Sequence, residues 1–283
     1  MIVDVHTHTW NQAAHFREGF LRDLGRIHPE GPPDIHVEWE TYQAAVAVCD
    51  RTICFGLRGR KTGVAVPNEY VAAFAAQRPD KLIGFMSLDP REYGWKDDFI
   101  RSCQDLGLRG VKLGPIYADF DPAESALDWL YSRCVKYNLP VLFHMGTSFV
   151  QAGPLACSRP ILMDSIAIRF PELRMVIAHL AHPWEAETMA VIRKHAHVYA
   201  DISALFVRPW QFYQAMVLAQ EYQVTHKLLF GSDYPFTTPE ESLAGLRDIN
   251  RFCAGTHLPC ISTEVVEGII HRNAIDLLWG ESL

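Results

Sequence analysis

The chain has 283 residues, 49% of them hydrophobic and 21% charged, a composition that supports a large buried core. A formal net charge of -7 argues against nucleic acid or an anionic membrane as the main partner, since each requires a concentrated basic face. No apolar stretch reaches membrane-span length and no Pro/Gly/Ser-rich linker divides the chain, so a single domain over 1–283 is expected.

The seven cysteines are scattered and show neither a disulfide framework nor a paired Cys-x-x-Cys zinc motif. They are expected to be buried core residues or inert thiols. The first strand starts at once and leaves no room for a signal peptide, which places the expected compartment in a reducing cytoplasm.

In chain order, the first apolar run covers 2–6 and closes on His6-Thr7-His8. Residues i and i+2 of an extended segment point to one side, so both imidazoles can chelate one cation. The segment from Trp10 to about Glu40 has few periodic apolar residues and contains Gly31-Pro32-Pro33; it reads as a long loop that shapes access to a site. A second strand at 51–57 runs into Arg58-Gly59-Arg60-Lys61, a basic cluster that is either a solvated loop or, through Arg58, a contact for an anionic substrate. A helix over Tyr70 to Gln77 follows Asn68 as N-cap and stops before Pro79.

Further strands are predicted at 82–88, 109–113, 140–144, 174–179, 197–202 and 227–232. Helices are predicted near 97–106, 123–137, 159–170, 184–196, 210–222, 239–252 and 263–279. The helix from Ala123 presents Leu127, Leu130, Tyr131 and Cys134 on one face. Runs such as Val141-Leu142-Phe143 read as buried on both faces, and strands alternating with helices imply parallel pairing. Eight such strands fit an α/β fold, a closed (β/α)8 TIM barrel. An open doubly wound sheet would commonly carry a Gly-rich nucleotide loop, and neither GxGxxG nor a Walker pattern is present.

The barrel places strand C-termini at one mouth, where active sites form. His6 and His8 end the first strand, Lys112 lies in the fourth, His144 ends the fifth, His179 the sixth, and Asp233 follows the eighth. A metal site at that C-terminal mouth follows. Pro183 disfavours helix at His182, which is assigned to a loop with a hydrogen-bonding or substrate-contacting role. Phe149, Arg208-Pro209-Trp210 and Tyr234 follow strands and can frame a pocket for a small anionic ring. The other histidines show no partner pattern and are expected on the surface or in the core.

The segments DVHTH, RGVKLGP, LPVLFHMG, VIAHLAHP and LFGSDYP, in that order, resemble the metal-dependent amidohydrolase superfamily. Within it they look most like the amidohydrolase-related branch that contains aminocarboxymuconate-semialdehyde decarboxylase. The resemblance implies that His6, His8, His144 and Asp233 surround one divalent ion, zinc ahead of manganese or cobalt, in an N/O donor set that leaves a position for water. His179 would act as acid/base and Asp233 would also accept a proton. Lys112 would join the ligands only in a binuclear site, as a carboxylated bridge.

The function expected is hydrolysis of a small carboxylate-bearing ester, lactone or amide. The alternative is metal-dependent non-oxidative decarboxylation of an aromatic or muconate-type acid, and a metal-binding barrel without turnover is more remote. An exposed helix face leaves room for a homo-oligomer.

Overall fold

The computed structural model describes residues 1–28, 30–31 and 33–280. Its strands are β1 (Val3–His8), β2 (Arg51–Phe55), β3 (Arg58–Gly59), β4 (Val64–Ala65), β5 (Leu82–Leu88), β6 (Val111–Leu113), β7 (Val141–Phe143), β8 (Met175–Ile177), β9 (Val198–Asp201) and β10 (Leu228–Leu229). Eight of them form one sheet in the order β1-β2-β5-β6-β7-β8-β9-β10, with every ladder parallel. The short β3 and β4 make a separate antiparallel hairpin.

Between β10 and β1 the backbone closes the circle. Val5 N–H donates to Phe230 O at 3.0 Å, Asp233 N–H to His6 O at 2.8 Å and His8 N–H to Tyr234 O at 2.8 Å. These bonds satisfy edge groups that an open sheet would leave exposed. The barrel expectation therefore holds, with all eight predicted strands present but several shorter than their apolar runs.

Two apolar layers hold the fold. Val5, Ile53, Phe55, Ile83, Phe85, Leu142, Val176 and Leu229 fill the barrel interior, and Leu278 and Trp279 of the C-terminal helix join the same cluster. A larger cluster packs the outer strand faces against the helices. Each fully buried Leu, Ile or Phe contributes roughly 1.5–3 kcal/mol of transfer free energy, so these layers supply the driving force that orders the mouth.

Several local expectations change. The helix beginning at Asn68 spans Asn68–Ala75, and Pro67 occupies the cap position. Asn68 instead turns inward: its Oδ1 accepts from Ser87 N–H at 2.8 Å and its Nδ2 donates to Asp98. The predicted 123–137 helix is Asp128–Lys136 behind a 3-10 turn, and it buries Leu127, Leu130, Tyr131 and Cys134 as its periodicity requires. The 263–279 helix is two, Thr263–Ile270 and Ala274–Trp279.

The 10–40 connection is not all loop. It holds helices Gln12–His15, Glu18–Arg26 and Trp39–Ala45, the second burying Phe20 and Leu24. Phe20 and Leu24 stand one helical turn apart, but two buried anchors in a nine-residue helix are too few to stand out as a period. Pro32 of the noted Gly-Pro-Pro stretch lies outside the described residues. The cysteines are not all free either, because Cys253 and Cys260 form a disulfide with a Cα–Cα distance of 5.8 Å. A 3-10 turn at Ile249–Phe252 brings these two loop residues together, a fold-back that spacing alone does not reveal. No described helix is long and apolar enough to cross a membrane.

Candidate metal centre at the barrel mouth

The His-x-His segment reaches the interior through a break in strand alternation. Asp4 pairs in register with Thr52, and Thr7 with Cys54, so two residues of β1 face the single Ile53 of β2. This β-bulge changes which side chains face inward. Val5 packs in the interior cluster, while the His6 ring meets the interior Phe55 ring at 5.0 Å. His8 lies beside Phe55 as well, at 4.9 Å. Thr7 faces the outer layer and bonds Tyr42 Oη at 2.7 Å. Asp4 Oδ1 accepts from the N–H groups of His6 at 3.0 Å and Ser232 at 3.1 Å, which ties β1 to the loop after β10.

Asp201, at the end of β9, organises two histidines. Its Oδ2 accepts from His6 Nδ1 at 2.9 Å, and its Oδ1 accepts from the backbone N–H of His179 at 3.0 Å and of Ser203 at 3.1 Å. The Ser203 hydroxyl also donates to Oδ1, which leaves its oxygen to accept from His179 Nδ1 at 2.8 Å. Both imidazoles are thereby fixed as Nδ1–H tautomers, each with an unprotonated Nε2. His179 has a left-handed backbone, φ 58°, in a buried turn that Asp201 braces.

The remaining atoms converge. His6, His179 and Asp233 offer ligand atoms that all lie within 4.8 Å of one another. Asp233 Oδ1 is 3.3 Å from His6 Nε2 and 3.2 Å from His8 Nε2. Donors on a tetrahedral zinc, each about 2.0–2.1 Å from the ion, stand about 3.3 Å apart, so these separations fit such an ion. The His144 ring lies 5.0 Å from that of His179, and its Nε2 is 3.3 Å from Thr147 O.

Lys112 projects from β6 into the same space, fully buried, with Nζ 3.3 Å from His6 Nε2 and 4.5 Å from the Phe55 ring centre. Burial pulls its ammonium down to about 7 against the opposing pull of Asp201 and Asp233. Burial first, and then neighbouring cationic partners, holds His6, His8 and His179 well below the usual imidazole range and takes His144 to about 3. The same burial pushes the Asp233 carboxyl well above its ordinary value. Burial thus favours the neutral form of these imidazoles, and neutral imidazoles are the form that binds a cation. A dication would draw Asp233 back to the carboxylate.

The other sequence-predicted residues sit around this centre. His182 is buried, with burial and then Arg208 taking its imidazole down to about 4. Arg208 is exposed and donates to Ala204 O at 3.2 Å. Tyr234 turns to the outer layer and packs on Tyr42 at 5.6 Å. The Arg58 guanidinium is engaged by Glu92 at 3.1 Å and by Asp98, a pairing that occupies the group assigned to the substrate. Phe149 packs on Phe20 at 5.2 Å, which latches the first long connection onto the loop after β7.

Sequence reading missed Asp201, Ser203 and the role of Trp10. Asp201 lies at the end of a predicted strand and so satisfies the same positional rule as the others, but no second residue at a recognisable spacing marks it in the sequence. Trp10 stacks on His8 at 4.2 Å, and its indole N–H donates to Ile35 O at 2.6 Å.

The fold is a parallel eight-stranded barrel with buried histidines and a carboxyl gathered at its strand C-termini. The sequence profile of the amidohydrolase family matches residues 3–279, and the chain belongs to that family of metal-dependent hydrolases and carboxy-lyases. No curated protein matches significantly by sequence. Solved structures share the fold. An uncharacterised TIM-barrel protein from Bordetella bronchiseptica is 24% identical, with 98% of each chain covered and a TM-score of 0.70. A probable 2-pyrone-4,6-dicarboxylic acid hydrolase from Acinetobacter baumannii, with citric acid bound, is 15% identical over 99% of each chain, TM-score 0.68. The 5-carboxyvanillate decarboxylase of Novosphingobium aromaticivorans, with bound manganese, is 12% identical, covering 98% of this chain and 97% of its own, TM-score 0.68.

Proposed function

We propose that the protein is a metal-dependent hydrolase of a small carboxylate-bearing ester, lactone or amide. The meeting of Asp233 Oδ1 with both His6 Nε2 at 3.3 Å and His8 Nε2 at 3.2 Å at one buried point carries this reading. His6, His8, His144 and Asp233 hold a single divalent ion, zinc ahead of manganese or cobalt. When bound, such an ion polarises a carbonyl and lowers the pKa of a coordinated water toward neutrality.

The chain's own groups do the rest. Asp233 accepts the proton of the attacking water, and His179 Nε2, kept free by the Ser203 contact at Nδ1, exchanges protons with the reacting group. His182 and Arg208 supply polar and cationic groups for a substrate carboxylate, with Tyr234 and Arg58 more remote in this arrangement. Lys112 remains an unmodified amine that neutralises the carboxyl groups facing it, and intact-protein mass spectrometry that finds added CO2 on it would instead establish a bridged, binuclear site.

The second reading is non-oxidative decarboxylation of an aromatic or muconate-type acid. It is favoured by the aromatic wall of Trp10 and Phe236, centroids 6.3 Å apart, beside His8. The probable pyrone-dicarboxylic acid hydrolase and the carboxyvanillate decarboxylase share this fold, so both chemistries belong in one assay. A panel of lactones, amides and aromatic acids, followed for product and for carbon dioxide, decides between the readings. His8→Asn is expected to lose metal and turnover together. His179→Asn is expected to keep metal but lose at least roughly 10²-fold in kcat. Loss of metal in His179→Asn would move His179 into the ligand set, and near-normal turnover would remove its proton-transfer role.

A further inference from the structure

The basic run after β2 is not fully accounted for by the pairing of Arg58. The β3–β4 hairpin places Arg60 and Lys61 on the wall of a cleft of about 510 Å³, together with Arg17, Asp89, Arg91 and Asp119. Four cationic side chains face two carboxylates in a protein whose formal charge is -7. The volume suits a small molecule.

The cleft is built on fixed backbone. Asp89 spends its two oxygens on the backbone N–H groups of Arg60 at 3.0 Å and Arg91 at 2.9 Å. Arg17 N–H donates to Gly63 O at 2.8 Å, and Thr62 Oγ donates to Tyr117 O at 3.0 Å. A Cβ on Gly59 would stand 2.5 Å from Tyr117 Cβ, so the hairpin seats directly against the turn after β6.

The cations divide into two kinds. Lys61 is paired with Asp119, and Arg91 with Glu124 at 3.0 Å. Among the described residues, the guanidinium groups of Arg17 and Arg60 make no hydrogen bond and no ion pair. Two unpaired guanidiniums in one small cleft offer planar forks that match carboxylate or phosphoryl oxygens.

We propose that this cleft binds a small anion with at least two carboxylate or phosphoryl groups, engaged by Arg17 and Arg60 and separate from the metal centre. A ligand with two anionic groups can give each guanidinium its own fork partner, and the protein's overall negative charge disfavours a nucleic acid there.

Equilibrium binding tests this without reference to turnover. Isothermal titration calorimetry of the metal-loaded protein would use propane-1,2,3-tricarboxylate in one arm and inorganic pyrophosphate in the other, with sodium chloride as ionic-strength control. The Arg17→Gln/Arg60→Gln double variant is expected to weaken the preferred anion at least tenfold, with an unchanged melting temperature. His8→Asn is expected to leave that affinity intact, and so separates this cleft from the metal centre. No heat from either anion at millimolar concentration would overturn the proposal. So would equal affinity in wild type and double variant, and so would loss of binding in His8→Asn. The stronger arm identifies the ligand as carboxylate or phosphoryl.

Discussion

Asp201 Oδ2 lies 2.9 Å from His6 Nδ1, and this contact decides which nitrogen of His6 faces the barrel mouth. The same carboxylate fixes Ser203, which in turn fixes His179. One strand-end residue thus sets the tautomer of imidazoles contributed by two other strands. Asp201→Asn keeps an acceptor oxygen but lacks the charge that raises His6 basicity. It is expected to weaken zinc binding by about 10–100-fold, measured by chelator competition, with the fold retained by circular dichroism. Unchanged zinc affinity would detach Asp201 from the site.

Gly231 supports His6 from the seam. A Cβ at this position would lie 2.9 Å from His6 Cβ, tighter than real Cβ contacts allow. Gly231→Ala is expected to displace His6, with a stability loss of about 1–3 kcal/mol in urea unfolding and a matching fall in zinc affinity. An alanine variant with wild-type zinc affinity would show that the seam has slack.

Trp279 closes the interior cluster at the end of the last described helix. It packs on Phe85 at 5.8 Å, and its indole N–H donates to Arg109 O at 3.0 Å. Trp279→Ala is expected to cost about 3–5 kcal/mol in denaturant unfolding, and Trp279→Phe distinctly less. Equal losses in the two variants would assign the effect to the hydrogen bond instead of to packed volume.

Acid stability is expected to carry a contribution from Asp164. Lys194 at 2.7 Å and then His195 at 2.6 Å hold its carboxyl below the usual 3.8. A carboxyl depressed by folding contributes stability above its unfolded pKa, and that contribution disappears as pH falls through the lower folded value. Asp164→Asn is therefore expected to be less stable than wild type by roughly 0.2–1 kcal/mol near neutrality, a range set by solvent screening. The gap should close below the usual carboxyl range, read from melting curves taken at a series of pH values. A gap that persists unchanged in acid would trace the loss to something other than charge.

Much of this arrangement was legible in the chain because a barrel strand announces both its apolar run and its end. His6, His8, Lys112, His144, His179 and Asp233 all follow that rule and come together in the structure. The bulge in β1 was not legible, since it depends on two residues sharing one partner on β2 and leaves no mark on the composition. The pairing of Arg58 was not legible for a related reason: its partners Glu92 and Asp98 lie up to 40 positions away, beyond any local pattern. The left-handed turn at His179 escaped notice because a non-glycine residue gives little warning of positive φ.

The seam between β10 and β1 joins chain positions far apart in sequence, with His8 and Asp233 separated by 225 residues. Closing the barrel and bringing Asp233 onto His6 and His8 are one event. A nascent chain displays His6 and His8 early, yet the carboxyl that reaches both imidazoles is added only after β10 has been made. On the proposed metal-dependent reading, cation capture waits until β10 has closed against β1, because a fragment ending before Asp233 carries the histidines without their carboxyl partner.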